Sequence, residues 1–394
     1  MTTARFGVGL SMARDVREAA AEAGAAAAEG LGGAPATLAV VFASPGLCAE
    51  GTALLDAVHR VLEPGDLIGC MGEAILGAGR EIEDAPALAV WAAHLPGAEI
   101  IPFRLVARPL GEGLGILGWP DAIADAPGGN VGPVIMLADP FTFPADGLLQ
   151  ELNAEPGAPP VVGGLASGGR RPGEHALFAG REVVDEGAVG IAIRGARIHT
   201  IVSQGCRAIG PEMVITDAEG STVRSLAGVP ALDKLQQVIE ELSPEERALA
   251  AEGLLAGLVI DENVPEYGRG DFLMRGVLGG DRETGALVVG EQVRVGQTMR
   301  FHVRDAASAD EDLREALRAA RAGLGDTPPG GALVFSCNGR GTRMFPGPDH
   351  DAATIEGELG VPAAGLFCNG EIGPVGGKSF VHGFTATMAL FPAG

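Results

Sequence analysis

Short, fully apolar runs recur along this chain, most of them ending at glycine or a polar residue. Residues 38–43, 87–93, 134–138, 161–165 and 363–368 are such runs, 332–337 is one interrupted by Ser336, and 67–72 is another that ends in glycine. Runs this short and this uniformly apolar predict strands buried on both faces rather than helices. Between them lie longer polar-apolar stretches. An Ala-rich helix is expected across 11–31, opened by Ser11 and closed near Gly30, with further helices at 53–62, 146–152 and 353–359.

The order strand, helix, strand into a Gly-rich turn, strand occurs three times, with Gly69, Gly163 and Gly365 at equivalent places. Residues 176–178 and 188–193 read as paired strands around an Asp/Glu-Gly turn, and 384–391 as a final strand. A different segment intervenes. It holds a hairpin of 213–217 and 222–226, helices at 231–242 and 244–251, strands at 285–289 and 299–303, and a helix at 309–323. Ser243 caps the second of these helices with Pro244 at its first position. The fold class is therefore α/β: mixed β-sheets with helices on the outer faces, built from loosely repeated β-α-β-β units in two domains. The boundary is expected between 205 and 225, dividing the chain into 1–222 and 223–394.

Composition narrows the partners. A length of 394 residues fits two domains, and 46% hydrophobic residues supply a sizeable core. Only 4% are aromatic, so that core is Ala, Val, Leu and Ile. The net charge of -23 argues against a nucleic-acid partner, which would meet a basic patch. Cys48, Cys70, Cys206, Cys337 and Cys368 are scattered with no C-x-x-C pair, which argues against a disulfide framework or structural zinc. No apolar leader follows Met1 and no apolar run reaches membrane-spanning length, so a cytoplasmic protein without membrane insertion is expected.

The candidate chemistry gathers near the C-terminus. The run 361–367 leads into Cys368-Asn369-Gly370-Glu371-Ile372-Gly373-Pro374, and His382-Gly383-Phe384-Thr385 follows. Gly370 and Gly373 let the backbone turn, while Asn369 and Glu371 place an amide and an acid at a strand mouth. Cys337-Asn338-Gly339-Arg340-Gly341 closes a second strand. Its turn either aims N–H groups and Arg340 at an anion, or carries a structural arginine paired with a carboxylate. Glu371 could hold a ligand ammonium, pair with Arg340, or cap a loop. Asp305 reads as a helix N-cap, which leaves Arg304 as a carboxylate clamp. His382 is either a ligand contact or a structural histidine; His302 is a weaker candidate, and His175, His199 and His350 look ordinary. Cys337 and Cys368 lack a histidine at any recognisable spacing. No Gly-x-Ser-x-Gly, HExxH, Walker A or Rossmann pattern is present, so no motif argues for an enzyme.

The tail Asn369-Gly370-Glu371-Ile372-Gly373-Pro374 with His382-Gly383-Phe384-Thr385-Ala386, preceded by Phe335-Ser336-Cys337-Asn338-Gly339-Arg340-Gly341, closely resembles the FIST C-terminal domain. Val41-Phe42-Ala43-Ser44, Ile68-Gly69-Cys70-Met71-Gly72-Glu73 and Val162-Gly163-Gly164-Leu165-Ala166 look like the FIST N-terminal domain. The resemblance implies a sensory input module for a small ligand such as an amino acid, acting through a signalling partner. It also raises two alternatives: a haem protein responding to nitric oxide, with His382 as first axial candidate, and an interaction scaffold related to F-box substrate receptors. No residues remain for a kinase, cyclase or F-box, so a stand-alone module is expected. Arg340, Arg304 and turn N–H groups would clamp the carboxylate; Glu371 and Asn369 would take the ammonium. Exchange of Arg340 or Glu371 for alanine is expected to abolish binding and leave the fold intact.

Overall fold

The computed structural model describes residues 3–111, 113–124 and 131–394; Met1 and Thr2, at the start of the leader reading, lie outside them. The chain forms two compact units. One holds Met1–Val202, Leu313–Val381 and Thr385–Gly394; the other holds Ser203–Asp312 and His382–Phe384. The chain therefore leaves the first unit, builds the second, and returns.

The first repeat opens with β1 (Arg5–Ser11) and runs through β2 (Leu38–Ala43), the helix Gly51–Leu62 and β3 (Asp66–Met71). A hairpin of β4 (Ile75–Gly77) and β5 (Arg80–Ile82) follows, then β6 (Leu88–His94), β7 (Glu99–Leu110) and β8 (Gly113–Leu117). The second repeat has β9 (Val134–Ala138), the helix Ala145–Ala154, β10 (Val161–Leu165), a hairpin of β11 (Leu177–Ala179) and β12 (Glu182–Val184), β13 (Ala188–Arg194) and β14 (His199–Gln204). The second unit takes β15 (Cys206–Glu219), β16 (Thr222–Leu226), β17 (Val229–Pro230), β18 (Leu254–Val259), β19 (Phe272–Asp281), β20 (Ala286–Val289) and β21 (Thr298–Arg304). The third repeat has β22 (Pro329–Cys337), the helix His350–Leu359, β23 (Ala363–Cys368), a hairpin of β24 (Glu371–Val375) and β25 (Lys378–His382), and β26 (Thr385–Pro392).

In every repeat the two strands flanking the helix pair in parallel, and the closing strand adds antiparallel. The three sets are β6-β2-β3, β13-β9-β10 and β26-β22-β23. The hairpins do not stay with their own repeats. β4 pairs with β23, β11 with β3, and β24 with β10. The exchange is cyclic: the first repeat extends the third sheet, the second extends the first, and the third extends the second. Each edge left open by a parallel pair is thereby covered.

The three repeat glycines share one packing role. Gly69, Gly163 and Gly365 stand opposite Val41, Met136 and Val334 in their parallel pairs. A Cβ at each would lie 2.0, 1.8 and 1.9 Å from that residue's carbonyl oxygen. The largest buried cluster draws on strands of all three repeats. The rings of Phe6, Trp91 and Phe391 meet within it, with centroids 5.1–5.8 Å apart.

Two expectations need correction. The helix expected from Ser11 runs Val16–Gly30 and is capped by Asp15, whose Oδ1 accepts from Arg17 N and Glu18 N. Ser11 instead ends β1, whose Gly7 and Gly9 let the helix backbone press onto the strand. Residues 176–178 and 188–193 do not pair. The shorter Gly180-Arg181 turn folds β11 onto β12, and β13 lies between β7 and β9.

In the second unit the expected hairpin forms between β15 and β16. Because β15 pairs with both β16 and β21, six antiparallel strands close in the ring β15-β21-β18-β19-β20-β16. Ile215, Val223, Leu258, Leu287, Phe301 and Val303 share its core. No helix among the described residues is long and apolar enough to cross a membrane.

Candidate functional site

Three strand mouths converge in the first unit. The turns after β3, β10 and β23 begin at Gly72-Glu73, Ala166-Ser167 and Asn369-Gly370. Ser167, fully buried, ties them together. Its N–H donates to Met71 O at 3.2 Å, its hydroxyl donates to Phe367 O at 2.5 Å, and its Oγ accepts from Glu73 N at 2.7 Å. Asn369 N donates to Leu165 O at 3.2 Å, and Leu165 N to Gly370 O at 2.8 Å. Polar bridges lie over this junction at the surface. Asn338 Nδ2 donates to Asn369 Oδ1 at 2.8 Å, Arg343 Nη2 to Glu73 Oε1 at 3.0 Å, and Thr342 Oγ1 to Glu83 Oε2 at 2.7 Å.

Arg340 follows β22 and is fully buried. Its Nε donates to Asp351 Oδ2 at 2.7 Å and its Nη2 to Asp351 Oδ1 at 2.8 Å, a two-point fork. Asp351 sits in the first turn of the helix His350–Leu359 and also accepts from Ser336 Oγ at 2.9 Å. His350 Nδ1 lies 3.0 Å from Asp351 Oδ1, and its ring stacks on Phe345 with centroids 3.4 Å apart. Burial alone would raise the Asp351 carboxyl, but the charge and hydrogen bonds of Arg340 outweigh it and hold the group well below its usual range. Arg340 Nη1 has no hydrogen-bond partner among the described residues.

Glu371 begins β24 opposite Gly164 of β10 and is also fully buried. Its Oε2 accepts from Thr385 N at 3.1 Å and Thr385 Oγ1 at 2.8 Å; the Cys337 thiol also acts on this carboxyl, and Oε1 has no partner within full hydrogen-bond geometry among the described residues. Burial pushes this carboxyl up to about 8, against the pull of the Thr385 hydrogen bonds and the Arg340 charge. On β5, Glu81 accepts from Ala352 N through Oε1 at 2.9 Å. Burial, and then the Asp351 charge, push it up to about 7. Two buried carboxyls thus titrate near neutrality beside a permanently ionised pair.

That arrangement sets a pH dependence. An acid whose folded pKa is raised binds its proton more tightly when folded, so its contribution falls as pH rises. For Glu371 the window runs from the ordinary 4.5 up to about 8, and for Glu81 from 4.5 up to about 7. Glu371→Gln keeps an oxygen for Thr385 and cannot ionise. The wild-type melting temperature is expected to fall between about pH 6 and pH 8, and the variant to lose much of that fall. Parallel profiles for the two proteins in a thermal scan would show that Glu371 does not titrate there.

Of the residues singled out in sequence, Arg340, Gly341, Cys337, Asn369, Gly370, Glu371, Gly373 and Thr385 lie in the first unit. Gly341 adopts φ +62°, and a Cβ there would meet Glu83 and Phe367. Gly373 leaves room for Val202 and Thr387. Glu371 pairs with Thr385 and not with Arg340, which takes the structural pairing with a carboxylate. Arg304 and His382 belong to the second unit, where the Arg304 guanidinium carbon lies 4.9 Å from the Phe384 ring centroid. Asp305 does cap the following helix, its Oδ2 accepting from Ser308 N at 3.2 Å and Ser308 Oγ at 2.5 Å.

Asp351, Glu81 and Ser167 went unnoticed in the sequence, and Ser336 was read only as part of a strand. Asp351 carried one legible signal, an acid in the first turn of an expected helix. His175, read as ordinary, is buried with Nδ1 2.7 Å from Asp139 Oδ1, and its Nε2 accepts from Gly169 N. Burial, and then the Glu371 charge, push the Cys368 thiol well above its usual range, opposite to what a nucleophile needs. Among the described residues no group of three His, Cys, Asp or Glu is placed to hold a metal ion.

The FIST N domain matches residues 37–229 and the FIST C domain residues 231–374. An uncharacterized protein of Mycobacterium tuberculosis is 46% identical over 388 residues, covering 98% of this chain and 99% of its own. Another, from Mycobacterium bovis, is 44% identical over 391 residues and covers 98% of both. The T. maritima PurL complexed with ATP is 11% identical and overlaps 99% of this chain and 71% of its own at a TM-score of 0.23, too low to carry an argument. With both domains matched in tandem over most of its length, the chain belongs to the FIST family, whose domains are proposed to serve in sensing and signalling.

Proposed function

We propose that this FIST protein is an intracellular sensory module that binds a small, amino-acid-like ligand without chemistry and signals through a partner protein. One observation carries the reading: Arg340 Nη1 and Glu371 Oε1 are buried in one cluster with no partner in full hydrogen-bond geometry among the described residues, and their charges act on each other. Buried polar atoms left unpaired are expensive, and a ligand that satisfies both recovers that cost. A carboxylate suits the free guanidinium nitrogen and an ammonium suits the free carboxyl oxygen. An arriving ammonium would also draw the Glu371 pKa down and release a proton. Entry requires the exposed bridges Asn338–Asn369, Arg343–Glu73 and Thr342–Glu83 to open, and surface pairs of this kind are each worth little. A partner that reads the open or closed state of these bridges would receive the signal.

The test is a thermal-shift panel of the common amino acids, followed by calorimetry on any that stabilise the protein. One or more should raise the melting temperature, and Glu371→Gln should remove the rise while keeping its own fold. If no amino acid stabilises the protein, or the variant responds as the wild type does, the reading fails. Arg340→Ala is unsuitable here, because it strands Asp351 and confounds binding with folding.

A further inference from the structure

We propose that Cys337 and Cys368 form a reversible disulfide, a thiol switch beside Glu371 in the first unit. The two residues end β22 and β23 and stand directly opposite each other in that parallel pair. They also share a face of the sheet. Leu333 and Phe335 precede Cys337 at every second position, Ala364 and Leu366 precede Cys368, and all four belong to the largest buried cluster. Paired strands run about 4.8 Å apart, inside the range of about 4.4–6.8 Å between Cα atoms that a disulfide spans. The pairing stops at these two residues, so the closing movement falls at the end of the ladder and not within it.

Their surroundings give the two thiols different parts. Cys368 is buried, and a Cβ on Gly164 would lie 2.3 Å from its Sγ. With its thiol held well above the usual range, Cys368 does not meet an oxidant first. Cys337 is half-buried, its Sγ accepting from Gly339 N at 3.3 Å. Arg340 and Cys337 act on each other through their charges, which favours a thiolate. The Cys337 thiol also acts on the Glu371 carboxyl as a hydrogen-bond donor. That carboxyl, pushed up to about 8, is close to an ordinary thiol in proton affinity and can take the proton at little cost. The remaining cysteines do not compete. Burial pushes the Cys48 thiol up to about 12 and the Cys70 thiol well above its usual range, and Cys206 lies in the second unit.

The oxidant is a hydroperoxide. The Cys337 thiolate attacks its outer oxygen, the O–O bond breaks, an alcohol leaves, and Cys337 carries a sulfenic acid. The Cys368 sulfur then attacks the Cys337 sulfur. The S–O bond breaks, and the hydroxyl leaves with the Cys368 proton as water. Two thiols have lost two electrons and two protons, and the peroxide has been reduced to an alcohol and water. The bridge withdraws the Cys337 donor from Glu371, so oxidation changes the acid proposed above to hold a ligand ammonium. That consequence rests on the ligand reading; the bridge itself does not.

The experiment treats the reduced full chain with hydrogen peroxide at neutral pH, blocks the remaining thiols with iodoacetamide, and maps tryptic peptides without reductant. Cleavage at arginine and lysine puts the two cysteines on separate peptides, 322–340 and 344–378. These two should be found joined, with two hydrogen atoms lost, and dithiothreitol should part them. Before oxidation, Cys337 should react with iodoacetamide at least about tenfold faster than Cys368. Cys368→Ser should leave Cys337 as a sulfenic acid that dimedone traps, and Cys337→Ser should give no joined peptide. The wild-type map needs no substitution, so it decides the matter even where a variant does not fold. Peptides that stay separate after the Cys337 thiol is consumed overturn the inference. So does a Cys337 thiol that peroxide leaves intact, or a bridge from Cys337 to any other cysteine. No ligand enters the measurement, so a failed amino-acid panel and a missing bridge are told apart.

Discussion

Replacing Arg340 by methionine is expected to destabilise the protein by about 3–5 kcal/mol, because it strands a buried charge. Asp351 is fully buried and takes two of its hydrogen bonds from Arg340. Without that partner the carboxylate must stay ionised in an apolar surround or take up a proton. Ser336 Oγ and His350 remain within reach, which keeps the loss below the full desolvation cost. The pair as a whole is a different matter. Burying two ions costs about as much as their attraction returns, so removing both together is far milder than removing one. The double exchange Arg340→Met with Asp351→Leu should therefore recover much of the loss. Equilibrium denaturation in urea measures both variants. A loss under about 1 kcal/mol in the single variant, or a double variant no more stable than the single, would mean that Asp351 is not stranded by the exchange. The loss expected for the single variant is a large share of a typical domain's stability, so at 37 °C the single variant should populate unfolded forms.

The parts of this fold that were legible in sequence are those decided locally. The parallel strands β2, β3, β9, β10, β22 and β23 are buried on both faces, so each reads as a mainly apolar run, broken in β22 by Ser336. The repeat was visible because the order of elements and the place of the glycine recur together. The hairpins were not legible as what they are. β4, β5, β11 and β12 have three residues each, and the strand that each hairpin joins lies in another repeat. Nothing in residues 75–82 announces that they will complete a sheet begun at 329. The site inherits that blindness. Arg340 and its turn were legible, but Glu81 reaches Ala352, and Glu83 reaches Thr342, only through the exchanged hairpin. The return of the chain to the first unit was hidden as well. It falls at Leu313, inside the unbroken helix Ala306–Gly323, where no loop or change of composition marks it.

Exchanging Gly365 for alanine should cost about 4 kcal/mol or more, or abolish folding, although it adds one methyl group to an interior of similar groups. The added Cβ would stand 1.9 Å from Val334 O, 2.7 Å from Val334 C and 2.9 Å from Val334 Cβ. None of these is the free end of a side chain that could swing aside. Val334 is held on both sides, by β23 in parallel and by β26 antiparallel, so relief requires two strands of a central ladder to separate. The same clash arises at Gly69 against Val41 O and at Gly163 against Met136 O, so the alanine exchange should be comparably damaging at all three. Gly347→Ala is the control, since nothing lies within 4 Å of its added Cβ, and it should stay within about 0.5 kcal/mol of wild type. Soluble yield and urea midpoints for the four variants decide the matter. A Gly365→Ala protein as stable as the control would mean that the parallel pairs can part without loss. The shared glycine would then be a coincidence of sequence rather than the contact that lets each pair close.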